Sequence, residues 1–185
     1  MPDYFLFFLL LIAALSHAIC HSILKYNKNP LGILGVTSIF EIIIFTPLVL
    51  TVPMPTPYIW ILIIVSSILH GFYRLLVIFS YDYGDLSFIY PIARGTSSLL
   101  LVIISLIYLT DKISLLGFIA IMIVCMGLFL ISYSDKIKFN YSAFGLGFLT
   151  AIMITAYTLV DGIGVRNSEN PFSFLYWMLL LNGTP

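Results

Sequence analysis

Long, nearly uninterrupted apolar runs constrain this chain more than any other feature of its sequence. Of its 185 residues, 61% are apolar and only 9% are charged, whereas a soluble domain carries about a quarter charged residues and somewhat under half apolar ones. A helix needs about 20 mostly apolar residues to cross the hydrocarbon core of a bilayer, and several runs reach this length. The sequence therefore predicts a membrane protein with several spans.

We predict six membrane-spanning helices and the beginning of a seventh, because short polar or proline-containing junctions divide the apolar runs. The runs are apolar all round and do not alternate with period two, which favours helices over the strands of a membrane barrel. The predicted fold class is all-α, a polytopic bundle of membrane helices. The spans lie approximately at residues 4–24, 31–53, 57–80, 86–109, 114–131, 143–163 and 171–185.

The charges and cysteines exclude several classes of function. Lys and Arg total 8 and Asp and Glu total 8, so a nucleic-acid partner has no electrostatic footprint on this chain. Cys20 and Cys125 lie singly in apolar runs and provide neither a disulfide framework nor zinc-ligand spacing. The sequence contains no phosphate-binding loop. We therefore expect no cofactor, and an ion or substrate gradient as the energy source of any transport.

Two junctions of the sequence match at a constant offset. A basic residue followed by three residues and Asn-Pro occurs at Lys25–Pro30, after the first span, and again at Arg166–Pro171, after the sixth, an offset of 141 residues. Because five spans separate the two copies, the second copy must be inverted in the bilayer. Inverted repeats build two-sided access around a midplane site in many secondary transporters.

The repeat predicts the domain organisation. We place the first five-helix repeat at residues 1–138 and the start of the inverted second repeat at residues 139–185. A complete second copy would extend well beyond residue 185, so we expect the chain either to be a fragment of a longer protein or to be completed by partner chains.

Ionisable side chains within the spans are the candidate functional residues, because a charge at mid-helix costs at least about 2.5–3.5 kcal/mol on insertion scales. Glu41 lies near the middle of the second span, and we expect it to be protonated or paired with a base, since burial disfavours the charged form. His70 and Arg74 share one face of the third span, as His17 and His21 share one face of the first. Polar pairs on one helix face either line a water-filled cavity or make hydrogen bonds to neighbouring helices. No third ligand lies near the two histidines of the first span, so we expect no metal site.

Arg94 lies within the fourth span, in surroundings typical of an irregular helix. Pro91 removes one backbone donor, and Gly95 permits close helix approach or a local break. We predict a helix kink at Pro91 and Gly95, with Arg94 and the preceding Tyr90 binding substrate. The alternative is a structural kink in which the guanidinium pairs with one of three carboxylates: Glu41, Asp82 or Asp85.

The remaining polar and aromatic residues of the spans leave their roles open. Asp85 precedes the fourth span and is expected to cap its helix, whereas Asp161, near the end of the sixth span, is ambiguous. Tyr73, Tyr90 and Tyr157 lie within spans and either wall a substrate cavity or serve as packing and interface residues, the commoner role of aromatics there.

The central part of the sequence resembles a known family. The segment YDYGDLSFIYPIARG at residues 81–95 and the segment LTDKISLLGFIAIMIVCMGLFLIS at residues 109–132 resemble the EamA-type domain of the drug/metabolite transporter superfamily. In that family a Gly-Asp-Leu-Ser-x-x-Tyr-Pro-x-Ala-Arg-Gly segment opens the fourth helix, and residues 84–95 match it. The family's Glu-Arg pair at the end of that helix is Asp111–Lys112 here, which keeps the signs of the charges. The first and sixth spans are similar to the openings of the family's two halves.

The resemblance implies ten helices arranged as two inverted five-helix repeats, both termini in the cytoplasm, and a central cavity for small metabolites or drugs. The leading hypothesis is therefore a multi-pass secondary transporter of the cell membrane that works by alternating access and is not an enzyme. Glu41, His70, Arg94 and Tyr90 are expected to bind a small-molecule substrate, with Arg94 holding its anionic groups.

Two other functions stay open at this point. One is a non-transporting membrane subunit, as a dimer or with a partner chain if the chain is not a fragment. The other is an intramembrane enzyme acting on a lipid, although the sequence contains neither an HExxH nor a GxSxG motif.

Overall fold

The computed structural model describes residues 3–108, 114–132 and 140–184, and the regular structure of these residues is entirely helical. Their helices are, in order, α1 (Asp3–Tyr26), α2 (Pro30–Val49), α3 (Pro57–Tyr83), α4 (Leu86–Tyr108), α5 (Leu115–Ser132), α6 (Tyr141–Asn167) and α7 (Pro171–Asn182). Each lies on one predicted span, so the all-α prediction is confirmed for this part of the chain. The Asp111–Lys112 pair and the predicted domain boundary at residue 138 lie outside the described residues.

Five of these helices, α1, α2, α3, α4 and α6, are long and apolar enough to cross a membrane, and α5 and α7 are shorter apolar helices. Large apolar side chains cover the outer faces: Ile43, Ile61 and Ile123 are 63%, 60% and 64% exposed. Monomeric soluble proteins rarely expose contiguous apolar patches larger than a few hundred Å², whereas lipid tails solvate such a surface. The helices therefore indicate a membrane protein.

The starts of α2 and α7 are built in the same way. Oδ1 of Asn29 accepts a hydrogen bond from the N–H of Gly32, and Oδ1 of Asn170 accepts one from the N–H of Phe172, both at 2.9 Å. A proline in the first turn follows each asparagine, where its missing N–H leaves no helical hydrogen bond unmade. The Asn-Pro pairs that match at the 141-residue offset thus have the same local role, while the inverted repeat and the ten-helix plan stay predictions.

Helix α6 lies at the centre of the packing. It packs against α3 and α4, α5 packs against α4, and α7 lies against both α2 and α3. Helix α1 makes few contacts with the rest of the bundle, and every side chain from Tyr4 to Ile12 is at least 46% exposed. Only the C-terminal half of α1 therefore contributes to the interior.

Two apolar clusters hold the helices together. One joins α3, α4 and α6 through Val77, Tyr81, Phe88, Ile89, Ile92 and Ala143. The other joins α3 and α7 through Ile59, Ile63, Phe174 and Met178.

Two glycines allow backbones to approach closely at these clusters. A Cβ on Gly84 would lie 2.8 Å from the Cβ of Ala143, and a Cβ on Gly164 would lie within 2.6 Å of three atoms of the Phe174 ring. The turn between α3 and α4 therefore rests directly on α6, and α6 rests directly on α7.

Candidate functional site

A cavity of about 410 Å³ lies between α1, α2, α3 and α6. This volume is within the range of small-molecule sites, roughly 300–1,000 Å³. Leucine, isoleucine and valine side chains form much of its wall. Its polar wall includes His17, His21, Glu41, His70, Arg74 and Tyr157.

Glu41 and Arg74 form an ion pair between α2 and α3 at this cavity. Nη2 of Arg74 donates to Oε1 of Glu41 at 2.6 Å, and Nη1 donates to the carbonyl oxygen of Asn182 at 3.0 Å. Glu41 thus has the basic partner expected from its depth in the span. Its other oxygen, Oε2, is buried and has no hydrogen-bond partner within the described ranges.

A chain of hydrogen bonds joins α1 to α3 and α4. Nδ1 of His21 lies 2.6 Å from the Tyr81 hydroxyl, Nε2 of His21 lies 3.0 Å from Nε2 of His17, and Nη2 of Arg94 also contacts Nε2 of His17. Because a guanidinium only donates, Nε2 of His17 is an acceptor, and His21 donates to it. Nδ1 of His21 is then free to accept from Tyr81. In this arrangement both imidazoles are neutral, with opposite tautomers, and the one lone pair on Nε2 of His17 is shared between the hydrogens of Arg94 and His21.

Arg94 projects from α4 to the edge of the cavity. Its guanidinium carbon lies 5.8 Å from the centre of the Tyr90 ring, in the range of a cation–π contact, and the Tyr90 ring lies 5.1 Å from that of His21. Within the described ranges Glu41 pairs with Arg74, and Asp161 lies 3.9 Å from Nε2 of His70, while Arg94 pairs with no carboxylate there. The alternative pairing of Arg94 with Glu41, Asp82 or Asp85 is therefore absent from this part of the structure.

His70 faces Asp161 of α6, a residue to which the sequence assigned no role. Nε2 of His70 lies 3.9 Å from Oδ2 of Asp161, and the Ser66 hydroxyl donates to Oδ1 of Asp161. The ring of Tyr157 lies over the imidazole, with 4.0 Å between ring centres. The sequence signal for Asp161 was weak, because the residue lies near the end of the predicted sixth span, where a carboxylate costs less than at mid-helix.

The two residues predicted to kink the fourth helix lie in a continuous α4. A Cβ on Gly95 would lie 3.4 Å from Cζ of Phe129 of α5, and the thiol of Cys125 lies 3.6 Å from the Gly95 carbonyl oxygen. An added Cβ would thus make ordinary van der Waals contact with α5, and the kink at Pro91 and Gly95 stays a prediction.

The four predicted substrate-binding residues thus lie around one interior region. Glu41 and His70 line the cavity itself, and Tyr90 and Arg94 reach it through their contacts with His17 and His21. Within the described ranges, no group of three or more His, Cys, Asp or Glu side chains is placed to hold a metal ion.

No protein-family model matches the chain, and comparisons with curated proteins and with solved structures give no match.

Proposed function

We propose that this chain is a secondary transporter of small organic solutes, belongs to the EamA-type family that its central segment resembles, and acts in the cell membrane. The observation that carries the proposal is the cavity of about 410 Å³, whose ionisable wall lies inside a bundle with an apolar outer surface. Charged groups inside a membrane helix cost free energy. The binding of polar solutes in the cavity would explain why they are present.

The groups around the cavity favour a substrate with both an anionic group and a hydrogen-bond donor. Arg94 has no carboxylate partner in the described structure and suits the anionic group. Glu41 lines the cavity, and its buried Oε2 has no donor there, so an ammonium or amide group that reaches this oxygen would satisfy it. His70, Tyr73 and Tyr157 provide flat ring surfaces for the rest of the molecule. Small amino acids and amino-carboxylate metabolites combine these features.

Alternating access requires helices that separate on one side of the site and close on the other. The polar contacts of α3 with α2 and with α6 are suited to such a change, because hydrogen bonds and ion pairs can exchange with water or substrate. In the predicted inverted repeat, the second copy would make the equivalent movement on the opposite side of the membrane.

Transport is tested with the purified full-length protein, together with any chain that copurifies with it, in proteoliposomes, by counterflow of a panel of radiolabelled amino acids and small carboxylic acids. Arg94→Ala should lower the transport of the responding compound about tenfold or more, because a hydrogen bond to a charged group contributes about 1.5–3 kcal/mol. Lys28→Ala is the matched control, since Lys28 is exposed in the α1–α2 junction. An unchanged rate with Arg94→Ala, at equal insertion, contradicts the proposed role of Arg94, and no counterflow with any compound contradicts the function.

A non-transporting subunit is a second candidate, favoured by the few contacts that α1 makes with the bundle. The native mass of the complex purified from its membrane separates the two functions. A stable complex with another membrane protein, without counterflow activity, supports the subunit.

An intramembrane hydrolase finds less support in the geometry. Ser66, His70 and Asp161 have the residue types of a catalytic triad, in which a serine hydroxyl is hydrogen-bonded to the histidine that activates it. Here the Ser66 hydroxyl lies 3.2 Å from Nδ1 of His70 but donates its hydrogen to the carboxylate of Asp161, and Ser66 is 0% exposed. A lipid carbonyl therefore has no path to this oxygen.

A further inference from the structure

His70 and Asp161 present hydrogen-bond acceptors to each other. Nδ1 of His70 lies 3.0 Å from the carbonyl oxygen of Ser66, and because a carbonyl only accepts, Nδ1 carries the hydrogen. In the neutral ring Nε2 then carries a lone pair, and it faces Oδ2 of Asp161 at 3.9 Å. A lone pair that faces a carboxylate in a low-dielectric interior is unfavourable unless a hydrogen lies between them.

We propose that His70 and Asp161 form a binding site for one exchangeable proton, and that this proton is the coupling ion of transport. Only the coupling role rests on the proposed function. When the proton binds, an N–H bond forms at Nε2 of His70, and the resulting imidazolium lies beside the carboxylate of Asp161. When it leaves, that bond breaks and the ring returns to its neutral form. No other bond changes.

The charged neighbours of the pair compensate each other. Arg74 lies one turn beyond His70 on α3, and its charge is neutralised by Glu41 of α2 at 2.6 Å. From α6, Tyr157 stacks on His70. The other titratable groups near the cavity belong to α1, α3 and α4. Cys20 lines it, and the remaining six contact one another: His17, His21, Tyr73, Tyr81, Tyr90 and Arg94.

A proton fits this site better than a metal cation. Sodium, like other hard cations, is bound by several oxygen ligands. The pair offers the two carboxylate oxygens of Asp161, and one of these already accepts from Ser66. The facing atom of His70 is a nitrogen, which binds a proton readily.

The position of His70 connects the proton to the substrate. His70 lines the same cavity as Glu41 and Arg74, so water in the cavity can deliver the proton to the ring. Proton uptake adds an ion pair between α3 and α6, whereas release leaves the Ser66 hydrogen bond as the polar link in this cluster. A ligand shifts a conformational equilibrium when it binds the two conformations with different affinities. The proton acts as such a ligand at the contact between His70 of α3 and Asp161 of α6.

The proton site is tested by nitrogen-15 NMR of histidine-labelled protein in lipid nanodiscs over a range of pH. The chain has three histidines, so His70→Gln assigns the signal of His70. In the wild type the neutral ring should be the Nδ1–H tautomer, and Nε2 should gain the proton. Finding the Nε2–H tautomer in the neutral form overturns the proposal without any variant.

A variant tests the part played by Asp161. Asp161→Asn should move the midpoint of His70 protonation to lower pH by about one unit or more, a tenfold loss of proton affinity, because the imidazolium loses its counterion. Glu169→Gln, an exposed carboxylate just after α6, is the control and should leave the midpoint unchanged. An unchanged midpoint with Asp161→Asn overturns the proposal.

Transport in the same lipid separates the two proposals. Solute movement that follows an imposed pH gradient in the wild type and is lost with Asp161→Asn supports proton coupling. Solute movement that depends on a sodium gradient and is independent of the pH gradient overturns proton coupling. If no solute moves while the His70 titration is as expected, the proton site is supported and the transport function fails.

Discussion

Replacing Gly164 of α6 by alanine tests how closely α6 and α7 pack. The added Cβ would lie within 2.6 Å of three atoms of the Phe174 ring, well inside the ordinary carbon–carbon separation of about 3.5–4.0 Å. The ring has no room to move away, because Phe174 is 0% exposed and is packed with Ile59 and Ile63 of α3. The substitution therefore forces α7 to shift.

The magnitude follows from two opposing effects. Overpacking a well-packed core costs about 1–3 kcal/mol, and contact with three ring atoms places this site toward the upper end. Alanine is more favourable than glycine in a helix interior by about 0.5–1 kcal/mol. We expect Gly164→Ala to lower the free energy of unfolding by about 1–2 kcal/mol.

The assay is reversible unfolding in mixed micelles of increasing SDS content, followed by the circular dichroism of the helices. Gly162→Ala is the matched control, because it lies on the same helix and its added Cβ meets no atom within 4 Å. This variant should gain about 0.5–1 kcal/mol, so the two alanines should change stability in opposite directions.

Equal stability of the two alanine variants would refute this reasoning, because it would mean that Phe174 does not lie on Gly164. A second substitution checks the cause of any loss. With Phe174→Leu already present, Gly164→Ala should cost less than it does in the wild type, since the smaller side chain leaves space for the methyl group.

Three further contacts are tested by the same SDS titration. Arg74→Gln leaves the Glu41 carboxylate without its partner and should lower the free energy of unfolding by about 3 kcal/mol. This is the lower end for a broken buried pair, because the two side chains keep 20% and 23% exposure. Adding Glu41→Gln should restore part of that loss, and no recovery would mean that the pair is not coupled. Lys25→Met removes the cation that binds two carbonyl groups at the end of α3 and should cost about 0.3–1 kcal/mol, while the exposed Lys28→Met should be neutral; equal effects would contradict the contact. Asn170→Ala removes the cap of α7 and should cost about 0.5–2 kcal/mol, most of which Asn170→Ser should retain; an alanine as stable as the serine would contradict the cap.

The positions of the helices followed from the sequence, because a bilayer requires an apolar run wherever the chain crosses it. The predicted starts at residues 57, 86 and 171 are the observed starts of α3, α4 and α7. The ends were less accurate: α2 ends at Val49, before the predicted position near residue 53, and α6 continues to Asn167, beyond residue 163. At the end of α6, hydropathy reported which residues prefer the hydrocarbon core, whereas the helical backbone continues beyond them.

This difference at the end of α6 explains why Asp161 had no assigned role. With the span predicted to end at residue 163, Asp161 lay at the membrane surface, where a carboxylate needs no explanation. In the structure α6 continues to Asn167, so Asp161 lies more than a turn inside the helix and faces His70. Glu41 and His70 were predicted because they lie near the middle of their spans, where the cost of a polar group is unmistakable.

The sequence by itself determined which segments are membrane helices, where most of them begin, and which side chains are costly at their depth. These are properties of each segment alone, because the bilayer acts on every segment separately. Only the tertiary structure decided that Glu41 meets Arg74, that Arg94 meets His17, and that His70 meets Asp161. Helices that are apolar on every side carry no periodic signal of which face meets a neighbour. Their pairing depends on local shape, such as a glycine opposite a phenylalanine ring, which becomes visible only when the two helices are placed together.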